Sequence, residues 1–425
     1  MATRGIAKLL QKSPSDIVIL SALRTPVCRA HRGQLKDAFP EELLSHVLRA
    51  TLAANPNLPR EKISDVGVGV VLSELGGSKA ARMALNAVGF DTRCTSLYTV
   101  NRACASSLQS ISLAAAQLRT GLVTDGGSAV IGAGMESMTR NYGSRAIPVD
   151  LWPDLKNTDV GDARDCIMPM GLTSENVAER YGVGREAQDE MALQSHLRAA
   201  RAQEEGRFDG EIVAVDTRFQ ETDRQGNKVG EERAVRVARD DGVRAGVTME
   251  ALRKLKPAFK ENGTSTAGNS SQVSDGAAAV LMMRRSAAEE LGLGGSVMGR
   301  FAHSVVVGCR PDEMGVGPAL AIPRALRDLG IAKEDVSRWE INEAFASQAV
   351  HCLRELGLAA EWEQGKVNPD GGAIALGHPL GATGARMVTT LMHGLGRPGV
   401  GGGEVGVVSM CIGTGMGMAG VFVRE

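Results

Sequence analysis

Two stretches decide the fold: Ile131-Gly132-Ala133-Gly134-Met135 and Ile412-Gly413-Thr414-Gly415-Met416. Each closes the same order of events. Val100-Asn101 precedes a loop, a helix, a strand and then the first stretch. Val367-Asn368 precedes a loop, a helix, a strand and then the second. The recurrence reads as two copies of one α/β unit. Around it, short β-branched runs alternate with longer helical patterns. Ile17–Leu20, Val66–Leu72 and Val405–Met410 read as buried strands, Val130-Ile131 and Ser304–Val307 as strands, and Trp339–Asn342 as the end of another. Gly67 and Gly69 inside the second of these suggest a close backbone approach. Apolar residues near 3.6 spacing predict helices over Cys104–Leu118, from Ala344 to about Leu356, and around Ala385–Leu395. Strand, helix and strand in this order favour a mixed sheet with helical layers. Between the copies, roughly 140–263, lies a different segment. Its charged helical stretch Glu175–Arg207 and polar strand-and-turn stretch Glu211–Arg236 suggest an insertion lying over the core.

At 425 residues the chain is long enough for two or three structural units. Its 43% apolar and 23% charged fractions exclude global disorder. Lys+Arg number 48 against 49 Asp+Glu, so no global field holds nucleic acid, and 3% aromatics leaves little for base stacking. Fifty-two glycines against 15 prolines, without a collagen period, point to tight turns and close ligand approach. The seven cysteines are odd in number and include no C-x-x-C pair, which argues against a disulfide framework and for a reducing compartment. No metal-ligand cluster and no membrane-length apolar run stand out, so no resident metal and no membrane span are expected.

Four residues carry candidate chemistry. Cys104, in Asn101-Arg102-Ala103-Cys104-Ala105-Ser106-Ser107, sits at an expected helix start. Unpaired N–H groups and the helix dipole there are expected to stabilise a thiolate nucleophile. His378, within Gly371–Gly384, is the histidine most surrounded by glycines, and an imidazole there could take the thiol proton. Cys411 follows a strand and precedes a glycine-rich turn, a place for a proton shuttle to carbon. Asn342 sits at a strand-to-helix junction, where an amide can steady an oxyanion. Taken alone, each also fits a structural role: core packing for either cysteine, a hydrogen-bonded turn histidine, an N-cap asparagine. Gly415–Gly420 matches G-x-G-x-x-G after a strand. A nicotinamide site needs a following helix and an acid further on, and the sequence stops at Glu425.

Several co-linear blocks together resemble the thiolases, of the peroxisomal-type 3-ketoacyl-CoA class. They are Ser21–Pro26, Val100–Gln109, Gly134–Thr139, Pro169–Ala178, Thr266–Val280, Asn342–Ala349, Gly371–Arg386 and Val408–Met416. The resemblance implies two similar βα halves in a five-layer α-β-α-β-α core, with a loop domain inserted in the first half. The halves are expected at 16–292 and 293–425, after a flexible segment 1–15. It implies thiolytic cleavage of 3-ketoacyl-CoA by coenzyme A, the co-substrate, to acetyl-CoA and a shortened acyl-CoA. Cys104 would be the acylated nucleophile, His378 its activator and Cys411 the α-carbon proton shuttle. Asn342 with His378 would form one oxyanion site, the N–H groups of Cys104 and Gly413 the other. Ser271 would meet the pantetheine arm, Arg244 the nucleotide end, and Met170 would line the acyl pocket. A homodimer or tetramer is implied.

The chain departs from the family pattern in places. Ser107 stands where the family's C-S-S-G-L-Q carries glycine, and Ala103 where Gln or Met is common. Pro169 replaces a histidine of many short-chain enzymes, which favours a broader acyl range. The alternatives are an acetoacetyl-CoA-forming acetyltransferase and a non-catalytic acyl-CoA or lipid carrier. A peroxisomal location is expected, with mitochondrial or cytosolic as alternatives. Arg4 and Gln11 have the spacing of an N-terminal peroxisomal nonapeptide, but Gly5 and Lys12 break it, and Val423-Arg424-Glu425 is no S-K-L signal.

Overall fold

The computed structural model describes residues 2–122, 128–142, 146–223, 225–399 and 403–425. Met1, and residues 143–145 and 224 of the expected insertion, lie outside the described residues. Among the described residues the strands are β1 (Ile17–Arg24), β2 (Cys28–Arg29), β3 (Ile63–Gly69), β4 (Ser96–Val100), β5 (Ala129–Ser137), β6 (Val215–Thr222), β7 (Lys228–Val237), β8 (Ser274–Arg284), β9 (Gly299–Gly308), β10 (Arg338–Ile341), β11 (Val405–Ile412) and β12 (Met416–Arg424). One sheet runs β10-β11-β12-β9-β1-β8-β5-β3-β4, with β2 pairing to β8. The hairpin β6–β7 stands apart, in the insertion.

The strand pairings repeat. In the first half β3 is parallel to β5, β5 antiparallel to β8, and β8 antiparallel to β1. In the second, β10 is parallel to β11, β11 antiparallel to β12, and β12 antiparallel to β9. The parallel β4 beside β3 is matched by a parallel bridge from Trp339 to Val367. The two copies join where β1 pairs with β9, Ile17 opposite Phe301. The duplication therefore exists, but the two I-G-x-G-M stretches are not in register. Ile131–Met135 lies inside β5, whereas Ile412 ends β11 and Met416 opens β12. Their glycines answer different needs. A Cβ on Gly132 would lie 2.7 Å from Ile111 Cα, so that glycine lets a helix onto the strand. Gly415 has φ 90° and serves a turn.

Alternating strand residues face three cores. Val66, Val68, Ile131 and Leu281 pack on the helices Pro40–Ala54 and Ser78–Val88. Their neighbours Val130, Val280 and Met282 face the opposite way, with Val408 and Met410 of the second half. Between these faces lie the helices Ser106–Thr120 and Thr383–Leu395, contributing Leu108, Ile111, Val388 and Leu391. Val407, Trp339 and Val421 face a third core with the helices Gly317–Leu329 and Ala346–Glu355. The order is helix, sheet, helix, sheet, helix, the five layers expected.

The insertion contributes the helices Met170–Arg180 and Arg185–Glu204. It is tied to β1 by the buried Arg24, whose guanidinium donates to Glu211 at 2.7 Å and to both Asp240 oxygens at 2.7 and 2.9 Å. The fork-to-carboxylate geometry satisfies the charge without water. At the N-terminus, the segment expected to be flexible contains a helix, Ala2–Leu10. Ile6, Leu9 and Leu10, spaced i, i+3, i+4, pack on the third core, and Arg300 donates to the Leu9 carbonyl.

Gly69 shows how tight the inner layer is: a Cβ there would lie 2.3 Å from the Ser107 nitrogen. Gly69→Ala is expected to lower stability by about 1–3 kcal/mol in urea unfolding, because backbone must move to admit it. An unchanged unfolding midpoint would mean that the helix start is free to shift.

Candidate active site

Cys104 lies in a strained turn, not in the helix itself, which begins two residues later at Ser106. Ala103 has φ 43°, left-handed for a residue with a side chain. Side chains hold it there. Asn101 Oδ1 accepts from the Ala103 N–H at 2.9 Å. Ser106 Oγ accepts from the Arg102 N–H at 2.9 Å and donates to the Ala103 carbonyl at 2.6 Å. The turn aims the Cys104 thiol at the backbone N–H of Gly413, with its own N–H alongside.

Burial outweighs the expected thiolate stabilisation. Burial pushes the Cys104 thiol above its ordinary 9, and the two N–H bonds only partly offset this. The helix that would stabilise it begins only two residues later, at Ser106.

Gly413 belongs to the turn between β11 and β12, with Thr414 at φ 72° and Gly415 at φ 90°. Cys411, at the end of β11, is fully buried. Burial pushes its thiol up, and the nearby Cys104 adds to this. It clusters with Met314 and Ala344, and Met170 and Phe345 pack on that cluster. Met170 Sδ lies 3.6 Å from where a Gly413 Cβ would stand. The two cysteines and Met170 therefore meet around one turn.

His378 has a partner at each ring nitrogen. Asn342 Nδ2 is 3.4 Å from His378 Nε2. Asn342 is not an N-cap: the helix Ala346–Glu355 begins four residues later and Phe345 is its cap residue. His378 Nδ1 is 2.7 Å from Thr383 Oγ1, and that hydroxyl donates to the Pro379 carbonyl at 3.0 Å. With its proton committed, Thr383 can only accept, so Nδ1 carries the ring hydrogen and Nε2 the lone pair. Burial, then the nearby Arg386 guanidinium, hold the imidazole down to about 3. At neutral pH the site thus stores a neutral thiol and a neutral imidazole.

The glycines around His378 allow that placement. A Cβ on Gly381 would lie 2.7 Å from the Met135 carbonyl, and one on Gly384 2.4 Å from Leu108 N. Two buried carboxylates grip the loops. Glu136 accepts from the N–H groups of Gly381, Val71 and Leu72 at 3.0, 3.2 and 3.3 Å. Glu343 accepts from Ser195 Oγ, Asn368 Nδ2 and the Ile374 N–H at 2.6, 2.8 and 3.2 Å. Thr383, Glu136 and Glu343 escaped the sequence reading, although all lie inside or beside quoted blocks. A hydroxyl five residues past the histidine was the legible signal for Thr383.

The Ser271 N–H donates to the Ala344 carbonyl at 3.0 Å, and the next residue's carbonyl, Gln272, accepts from the His378 N–H at 3.0 Å. Arg244 is exposed; its N–H donates to the buried His196 Nδ1 at 3.2 Å. Tyr142 lies near enough to Cys104 that a thiolate would raise its phenol further, after burial has already done so. Among the described residues no group of three or more His, Cys, Asp or Glu could hold a metal ion, and no helix is long and apolar enough to cross a membrane.

Thr383→Val is expected to slow iodoacetamide alkylation of Cys104 about tenfold, by freeing the imidazole to invert its tautomer. In the unsubstituted protein the alkylation rate is expected to rise with pH through 9. A plateau below neutrality would reveal a resting thiolate–imidazolium pair and contradict the neutral assignment.

Comparison with known proteins agrees with this fold. The thiolase N-terminal domain model matches residues 17–286 and the thiolase C-terminal domain model residues 296–424. The chain is 50% identical to the peroxisomal 3-ketoacyl-CoA thiolase B of Mus musculus, over 98% of this chain and 92% of that protein. The dimeric peroxisomal thiolase of Saccharomyces cerevisiae superposes with TM-score 0.85 at 38% identity, over 99% of this chain and 100% of that one. Human mitochondrial 3-ketoacyl-CoA thiolase in complex with CoA gives TM-score 0.79 at 33% identity, over 97% and 98%. This chain belongs to the thiolase family.

Proposed function

We propose that the chain is a 3-ketoacyl-CoA thiolase, cleaving its substrate with coenzyme A to acetyl-CoA and a shortened acyl-CoA. The observation that carries this is the Gly413 turn set against Cys104: a Gly413 Cβ would stand 3.9 Å from Ala103 Cβ, and Cys411 lies two residues before it in β11. That contact puts a nucleophile, an oxyanion donor and a second thiol at one place.

His378 Nε2 takes the Cys104 proton as the sulfur attacks the keto carbon, since the neutral resting forms leave no preformed ion pair. The N–H groups of Cys104 and Gly413 receive the developing oxyanion. The bond between the α and β carbons breaks, leaving an acyl-cysteine and the enolate of acetyl-CoA. His378, now protonated, and Asn342 Nδ2 donate to the enolate oxygen. Cys411 gives its proton to the α-carbon. A second coenzyme A gives its thiol proton to the Cys411 thiolate and attacks the acyl-cysteine, releasing the shortened acyl-CoA, and the departing Cys104 thiolate takes its proton back from His378. Ser271 lines the pantetheine path, Arg244 meets the nucleotide end, and Met170 borders the acyl pocket. The sequence halves are 16–292 and 293–425 with the insertion at about 140–263. The names of the relatives support assembly as a homodimer and residence in peroxisomes.

Cys104→Ser is expected to abolish acylation and turnover. Cys411→Ser is expected to acylate slowly from an acyl-CoA yet fail at carbon–carbon cleavage. Intact-mass spectrometry and a coupled cleavage assay read both, and near-normal turnover in both variants would overturn the assignment. Kinetics over a chain-length series is expected to show cleavage beyond the four-carbon substrate. Activity confined to acetoacetyl-CoA would select the acetyltransferase, and no acyl mass from any substrate would select a carrier.

A further inference from the structure

The helix Thr383–Leu395 begins with the hydroxyl that orients His378, yet it lacks a cap of its own. Its N-cap residue, Ala382, has no side-chain oxygen and makes no cap bond. The Thr383 and Arg386 N–H groups find the carbonyls of Pro379 and Ala382. The Ala385 N–H, an orphan of the first turn, donates instead to Ser107 Oγ at 2.9 Å. Ser107 is fully buried and lies three residues after Cys104, in the first turn of the other inner helix. Its surroundings leave no slack. A Cβ on Gly134 would lie 2.6 Å from Ser107 Cβ, and one on Gly69 2.3 Å from Ser107 N. Glycine, the residue of the family motif at this position, has no hydroxyl to offer.

We propose that Ser107 is a positioning residue: its hydroxyl caps the histidine-bearing helix from the nucleophile-bearing helix, so that Cys104 and Thr383–His378 are held as one unit. This rests on the roles of Cys104 and His378 given above. A cap supplied across the interface does two things at once. It satisfies the Ala385 N–H, and it fixes the offset between the two helix starts. Loss of the hydroxyl lets the histidine helix shift relative to the sulfur, which alters proton transfer before it alters binding.

The test uses Ser107→Ala and Ser107→Gly in the full chain. Three readouts apply: kcat against KM for a 3-ketoacyl-CoA, the pH profile of Cys104 alkylation by iodoacetamide, and hydrogen exchange at the start of the helix Thr383–Leu395. Ser107→Ala, which sets a methyl against the Ala385 N–H, is expected to lower kcat about tenfold with KM unchanged. Ser107→Gly opens room for a water and is expected to lose about threefold. In both, alkylation slows across the pH range and exchange at the helix start quickens. Wild-type kcat and alkylation in both variants, or a loss in KM alone, overturns the proposal. If the alanine variant fails to fold, the glycine variant decides by itself, since it only removes atoms. Cys104→Ala separates the two ideas. Persistent turnover there sinks the assignment of the nucleophile, whereas a dead Cys104→Ala beside an unaffected Ser107 pair sinks only the role of Ser107.

Discussion

The starts of two buried helices, Ser106–Thr120 and Thr383–Leu395, press against each other and against both halves of the sheet. The remainder of the site depends on that contact. Gly69, Gly134, Gly381 and Gly384 make it possible, because a Cβ at any of them would fall within 2.8 Å of a neighbouring backbone atom or side chain. Interiors are packed to crystal density, so the approach has few alternatives. With the helices fixed, the turns before them are fixed, and those turns carry Cys104 and His378.

Electrostatics follows from the same burial. A thiol pushed up and an imidazole pushed down leave the resting pair uncharged. Charge then appears only as bonds change, where backbone N–H groups and an amide already point. The buried carboxylates are treated differently. Glu136 is raised to about 7 by burial despite three backbone donors, and Glu343 is raised as well. Both bind loop N–H groups or hydroxyl and amide donors, so their work is to hold loops and not to move protons.

The comparison of sequence with structure is instructive where it failed. Short apolar runs marked six strands of the sheet; β1, β3, β5, β10 and β11 are covered on both faces and lose alternation, while β9 is only partly covered over Ser304–Val307. Helix starts were misplaced by two residues at Cys104 and Ala344, since neither N-cap residue, Ala105 or Phe345, has a side-chain oxygen that would mark the boundary. The repeated I-G-x-G-M pointed to a true duplication through a false alignment. One copy serves helix–strand packing and the other a left-handed turn, and glycine satisfies both demands. The N-terminal segment showed its basic residues more plainly than the Ile6, Leu9 and Leu10 stripe that docks it.

The resemblance to the thiolases grouped two cysteines, one histidine and one asparagine; by itself the sequence determined the layered α/β architecture and the duplication. Those are properties of periodicity and residue chemistry, which are local. Tertiary structure alone decided that burial raises the Cys104 thiol, that Thr383 selects the His378 tautomer, and that Ser107 bonds the Ala385 N–H of a helix 278 residues away. Desolvation and hydrogen-bond partnership depend on what the folded chain brings alongside a group, and no linear spacing encodes that.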